Sequence, residues 1–97
     1  MLRVLSDREL DEALASLPGW TRRAHAIAAT FTFRDFAQAF AFMTKVAAAA
    51  EVQNHHPDWR NCWSRVDITL STHDAGGVTA RDLALARSIQ DIAPAAR

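Results

Sequence analysis

One local signature occurs three times: Leu5-Ser6-Asp7-Arg8-Glu9-Leu10, Phe31-Thr32-Phe33-Arg34-Asp35-Phe36 and Val78-Thr79-Ala80-Arg81-Asp82-Leu83. In each, a hydroxyl residue can accept from the free amides of a helix's first turn. An acid three residues later can reach back to the cap, and the flanking apolar pair can close over both as a staple. The signature predicts helix starts at Ser6, Thr32 and Thr79. As the third residue of its box, Asp82 has a sufficient structural role and is assigned no chemistry from the residues alone.

The first helix is expected from about Asp7 to Ser16, stopped by Pro18-Gly19. The second carries Phe36, Phe40, Met43, Val46, Ala47 and Ala50 at three- and four-residue steps, read as its inward stripe. The third shows Leu85, Ile89 and Ile92 and is expected to fray at Pro94. Between helices, Trp20 to Arg23 and Ala26 to Phe33 read as strands, the latter with Ile27, Ala29, Phe31 and Phe33 on one face. Trp59 to Trp63 and Arg65 to Thr72 read as a second pair, with Val66, Ile68 and Leu70 facing one way and Asp67, Thr69, Ser71 and His73 the other. The order α-β-β-α-β-β-α predicts an α+β fold in a single domain over residues 1–97. It would be a four-stranded antiparallel sheet with three helices on one face.

Composition narrows the function. Eleven Lys and Arg balance eleven Asp and Glu, and the isoelectric point is near 6.9. A basic patch of the kind that neutralises phosphates is missing, so direct nucleic-acid binding is not expected. The lone Cys62 suits a reducing compartment, and with Met1-Leu-Arg-Val-Leu-Ser-Asp-Arg-Glu too charged for a signal peptide, a cytoplasmic protein without membrane association is expected. Cys62 is expected to be packed, because its parity is opposite to that of Trp59, Asn61 and Trp63.

Chemistry concentrates in Glu51-Val-Gln-Asn54-His55-His56-Pro57-Asp58-Trp59 and in His73. Three of the four histidines fall here, and histidine exchanges protons near neutral pH. His55 and His56 follow the second helix, where Pro57 discourages a helical residue before it. His73 ends the fourth strand ahead of the turn Asp74-Ala-Gly76-Gly77. If that strand passes the exit of the second helix, the three rings line one pocket on the polar face. Glu51 lies in a last helical turn, where the dipole disfavours a carboxylate. Trp59 and Trp63 share a parity and offer flat apolar surface, either to the core or to a planar ligand. Adjacent His55 and His56 diverge, and no HxxxH or CxxC spacing is present, so no metal and no cofactor are expected.

In these residues the chain resembles the pterin-4a-carbinolamine dehydratases. The family's pattern is a charged residue, three spacers, His-His-Pro, an aromatic, nine spacers, His and a distal Asp. Here it reads Glu51, His55-His56-Pro57, Trp63, His73 and Asp82. Gly19-Trp20, the run Phe31 to Met43 and Ile68-Thr-Leu-Ser-Thr72-His73 are similar as well. The resemblance implies dehydration of 4a-hydroxytetrahydropterin to quinonoid dihydropterin in tetrahydrobiopterin recycling, by metal-free acid–base catalysis. It implies catalytic roles for His55, His73, His56 and Glu51, with His55 and His73 as acids on either side of the ring and His56 mainly a binder. Asn54, His55, His56, Pro57, Trp59, Ser71, Thr72 and His73 would contact the substrate. It also implies a homodimer or homotetramer, partly through the second helix, and an aromatic amino acid hydroxylase as pathway neighbour. Two alternatives stay open under the same resemblance. One is a dimerisation or regulatory module using the second helix, and the other is an enzyme of a molybdopterin-related pathway.

Overall fold

Alternation along the strands decides which side of the sheet is covered. In a computed structural model of the chain, which describes residues 2–93, Ile27, Ala29 and Phe31 are buried beside Val66, Ile68 and Leu70. Thr30, Arg60 and Arg65 stay exposed on the other side. The elements are α1 (Asp7–Leu14), β1 (Thr21–Arg23), β2 (Ala26–Thr32), α2 (Phe36–Gln53), β3 (Asp58–Cys62), β4 (Arg65–Leu70) and α3 (Ala80–Ile92). All strand pairs are antiparallel, in the order β1-β2-β4-β3, with Ala29 opposite Ile68 and Trp59 opposite Ile68 from the other flank.

The three helices cover the apolar side. Leu10 from α1, Ala39, Phe42, Val46 and Ala50 from α2, and Leu85, Ala86 and Ile89 from α3 join the inward strand residues in one core. Ile27, Ile68, Leu70, Leu85 and Ile89 are fully buried, each contributing about 1.5–3 kcal/mol of apolar transfer. The expected α+β architecture is therefore present. No helix among the described residues is long and apolar enough to cross a membrane.

Three local expectations need correction. The second helix is capped by Asp35, not Thr32: Asp35 has extended φ and ψ and its carboxylate accepts from Gln38 N at 2.9 Å. Thr32 is held in the sheet opposite Arg65, and Phe33 N donates to Ser64 O at 2.8 Å, so strand pairing continues past the proposed cap. The inward stripe of α2 is Ala39, Phe42, Val46 and Ala50, while Phe36 and Phe40 are exposed and stack with ring centroids 5.7 Å apart. Apolar residues lie on nearly every side of this helix, so spacing alone leaves its phase open. Finally, Cys62 is exposed. Its parity was read correctly, but the opposite side of β3 from Trp59 is the solvent face. Ser6 and Thr79 do cap α1 and α3 with Glu9 and Asp82 as expected. Pro94 lies outside the described residues; α3 ends at Ile92 with Ala93 as its C-cap.

Asp67 ties the outer face together, accepting from Thr30 Oγ1 at 2.7 Å and Arg65 Nε at 3.0 Å. The Thr30 hydroxyl, opposed by burial and aided by the Arg65 and Arg60 guanidinium groups, holds its carboxyl below the ordinary carboxylate value. A carboxylate with a depressed folded-state pKa contributes stability above its unfolded value and loses it as pH falls through the folded one. Asp67→Asn should therefore melt below the parent at neutral pH. The gap between their melting temperatures should close as the pH is taken progressively below about 4.

Candidate active site

Two helix ends and one turn meet at the edge of the sheet. α2 terminates at Asn54, which sits in the left-handed region at φ 49 and ψ 44, and His55 N returns to Ala50 O at 3.0 Å. That reversal, followed by Pro57, sets His55 and His56 beside the start of β3. Beyond β4 the chain closes a turn in which Thr72 N donates to Gly77 O at 2.9 Å, carrying His73 at the rim. Gly77 packs closely against the N-terminal segment: a Cβ there would lie 2.9 Å from Val4 Cγ1, and that side chain would have to shift. These segments and the first turn of α3 enclose a cleft of about 400 Å³, within the usual range for small-molecule sites.

Each imidazole turns Nε2 toward its own carboxylate. His55 Nε2 lies 2.6 Å from Asp82 Oδ1, His56 Nε2 lies 2.6 Å from Glu51 Oε2, and His73 Nε2 lies 3.3 Å from Asp58 Oδ2. The pairs differ sharply in environment. Side-chain exposures are 9% and 0% for His55 and Asp82, 57% and 77% for His56 and Glu51, and 74% and 68% for His73 and Asp58. Only the first pair is shielded from water, so only there does the carboxylate act on its histidine at low effective dielectric.

Asp82 does more than cap. Its Oδ2 accepts from Thr79 N at 2.8 Å and from Thr72 Oγ1 at 2.9 Å, while Thr79 Oγ1 lies 2.7 Å from Thr72 Oγ1 and accepts from Arg81 N at 3.2 Å. Oδ2 thus accepts twice, while Oδ1 shares one proton with His55 Nε2, which leaves Nδ1 as the ring's remaining nitrogen. No buried side-chain nitrogen or oxygen among the described residues lacks a partner.

The expected site residues divide in three. Asn54, His55, His56, Pro57, Ser71, Thr72 and His73 line the cleft together. Glu51 does not line it and reaches it through His56. Trp59 is half-buried against the core rather than among the lining residues, and Trp63 stands 66% exposed in the β3–β4 turn at φ 50. Asp58, Asp74 and Arg81 line the cleft without having been singled out. Strand parity was the available signal for Asp58. Among the described residues no group of three or more His, Cys, Asp or Glu is arranged to hold a metal ion.

Fold and cleft together define a small α+β domain with three histidine–carboxylate pairs gathered at one cleft. Residues 3–92 match the family model described as pterin 4 alpha carbinolamine dehydratase, and the chain belongs to that family. It is 53% identical over 92 residues, 93% of this chain and 92% of the relative, to a protein of Afipia carboxidovorans provisionally named pterin-4-alpha-carbinolamine dehydratase. A relative from Rhodopseudomonas palustris with the same provisional name is 52% identical over 95 residues, 96% of this chain and 94% of its own. The crystal structure of a transcriptional coactivator/pterin dehydratase from Brucella melitensis superposes with a TM-score of 0.93 at 44% identity, covering 95% of this chain and all of that one. A pterin dehydratase-like protein identified as a RuBisCO assembly factor in the alpha-carboxysome superposes at 0.63 with 25% identity, covering 76% and 86%. The named activity of the family is that of a hydro-lyase.

Because Asp82 serves α3, Thr72 and His55 at once, Asp82→Ala should cost about 3 kcal/mol of stability in urea denaturation. Thr79→Ala, which loses the cap contact from Arg81 N and the hydroxyl contact to Thr72, should cost less, about 1–2 kcal/mol.

Proposed function

We propose that this protein dehydrates 4a-hydroxytetrahydropterin to quinonoid dihydropterin, serving tetrahydrobiopterin recycling beside an aromatic amino acid hydroxylase in the cytoplasm. The observation that carries the reading is the convergence of His55, His56 and His73 on one cleft of about 400 Å³, each on its own carboxylate.

The reaction breaks the C4a–O bond. Hydroxide leaves poorly, so an imidazolium protonates the oxygen as the N5 lone pair forms the C4a–N5 double bond. Water departs, and the N5 proton passes to a base or to solvent. One proton enters and one leaves, so the site ends where it began. His55, fixed by Asp82, and His73, at the rim, are the proposed acids for the two faces of the ring. His56 binds substrate with Glu51 behind it, and Asn54, Pro57, Ser71 and Thr72 hold the ring edge, with Trp59 supporting the wall from the core side. A positioned acid contributes about 10²–10⁴-fold in rate, roughly 3–5 kcal/mol of barrier, which suits a reaction already feasible in water without a metal.

The chain is proposed to work as a homodimer or homotetramer joined partly by the outward side of α2, where Phe36 and Phe40 are exposed. Phe36→Glu with Phe40→Glu should then lower the mass seen in sedimentation; an unchanged mass would remove this contact. A second reading, a binding module, is favoured by the same exposed face and by the assembly factor that shares the fold.

Stopped-flow dehydration of the 4a-carbinolamine separates the two readings. His55→Ala and His73→Ala should each slow, about 10²-fold, dehydration of the carbinolamine isomer whose face that histidine serves, while circular dichroism stays unchanged. Full activity in both variants would sink the dehydratase reading.

A further inference from the structure

Asp58 is the first residue of β3 and lies opposite Thr69 of β4. Strand parity carries that side onward: Leu70 and Thr72 are buried, whereas Ser71 and His73 look out on the same side as Thr69. Asp58 and His73 therefore share the outer face at the sheet's edge, and both line the cleft. The two arginines of the β3–β4 hairpin do not compete for this carboxylate. Arg60 and Arg65 both turn to Asp67, at 3.7 and 3.0 Å. Among the described residues the side-chain partner of Asp58 is His73, with Nε2 3.3 Å from Oδ2.

From this geometry we propose that Asp58 is the positioning residue of His73. Resting on the dehydratase reading above, it deepens that reading by supplying the second acid with what Asp82 supplies to the first. The carboxylate accepts Nε2–H, fixes the tautomer and ring angle, and leaves Nδ1 as the nitrogen that exchanges a proton with the ligand. His55 and His73 then work through the same atom, although one pair is buried and the other lies in water. In the open cleft the exposed pair is weakly held. A planar ligand over the cleft removes water from around it, and the same contact strengthens as the local dielectric falls. Positioning of His73 is thus completed by substrate, whereas positioning of His55 is built in by the fold.

The test uses the whole chain with two readouts. Nitrogen-15 NMR of the free protein should show a larger Nε2–H fraction at His73 than in a free imidazole. Asp58→Asn should lower that fraction to the free-imidazole value and Asp58→Glu should restore it. In stopped-flow assays with the two 4a-carbinolamine stereoisomers, Asp58→Asn should lower kcat about 10-fold for the isomer that His73→Ala also slows, with KM within about twofold. The other isomer should keep its rate. A tautomer unaffected by Asp58→Asn overturns the proposal, as does a changed tautomer with kcat intact. An isomer profile that follows His55→Ala instead of His73→Ala overturns it too. If the parent protein turns over neither isomer, the dehydratase reading fails, and the tautomer measurement still decides whether Asp58 positions His73.

Discussion

The carboxylate of Asp82 is the point on which the site depends. It satisfies a free amide at the start of α3, holds the Thr72 hydroxyl just beyond β4, and anchors His55 at the exit of α2. Three segments distant in sequence are thereby fixed to one pair of oxygens. Burying an ionised carboxylate is costly unless each lone pair it presents finds a donor. Here a backbone amide and a hydroxyl supply donors and an imidazole shares a proton with the other oxygen, so the same contacts that offset the burial also assemble the cleft. Folding and active-site geometry are consequently one problem at this position, and a change there reaches both.

The location of the cleft follows from elementary needs of the backbone. Helix ends leave unpaired amides and carbonyls that require polar partners, and the exit of α2 and the entry of α3 lie together at the sheet's edge. Polar side chains are needed there in any event. Asn54 in the left-handed region and Pro57 after the histidines turn the chain without a long loop, so the imidazoles stand on a short, constrained connection. A domain of 97 residues has little core to spare. Placing the polar cluster at converging helix ends leaves Ile27, Ile68, Leu70, Leu85 and Ile89 undisturbed in the interior.

Much of this was legible in the sequence because it rests on local rules. The boxes at Ser6 and Thr79, the alternation of Val66, Ile68 and Leu70, and the break after Asn54 each depend on neighbours within a few residues. What escaped depends on tertiary competition. Thr32 had the chemistry of a cap, but strand pairing with Arg65 held it in the sheet, and Asp35 took the role. Phe36 and Phe40 had the spacing of core residues, but a helix apolar on nearly all sides takes its phase from the sheet beneath. Asp82 was recognised as a cap, and that sufficient explanation concealed its second function. A local role does not exhaust a buried carboxylate when it has two oxygens and the cap uses only one.

The graded burial of the three imidazole–carboxylate pairs gives them different physics. His55 on Asp82 is shielded, so its orientation is nearly independent of salt and of the ligand. His56 on Glu51 and His73 on Asp58 are open to solvent, where such contacts are individually worth about 0–1 kcal/mol. On the proposed function, a planar ligand entering the cleft would meet one rigid imidazole at its floor and two adjustable ones at its rim. Rigidity at the floor sets where the ring must lie, and mobility at the rim lets it enter and leave. A site with all three pairs buried would require desolvating six ionisable groups in a small domain. One with all three exposed would have no fixed reference for the reacting atom. The observed division, one pair buried in the fold and two exposed at the cleft, avoids both extremes.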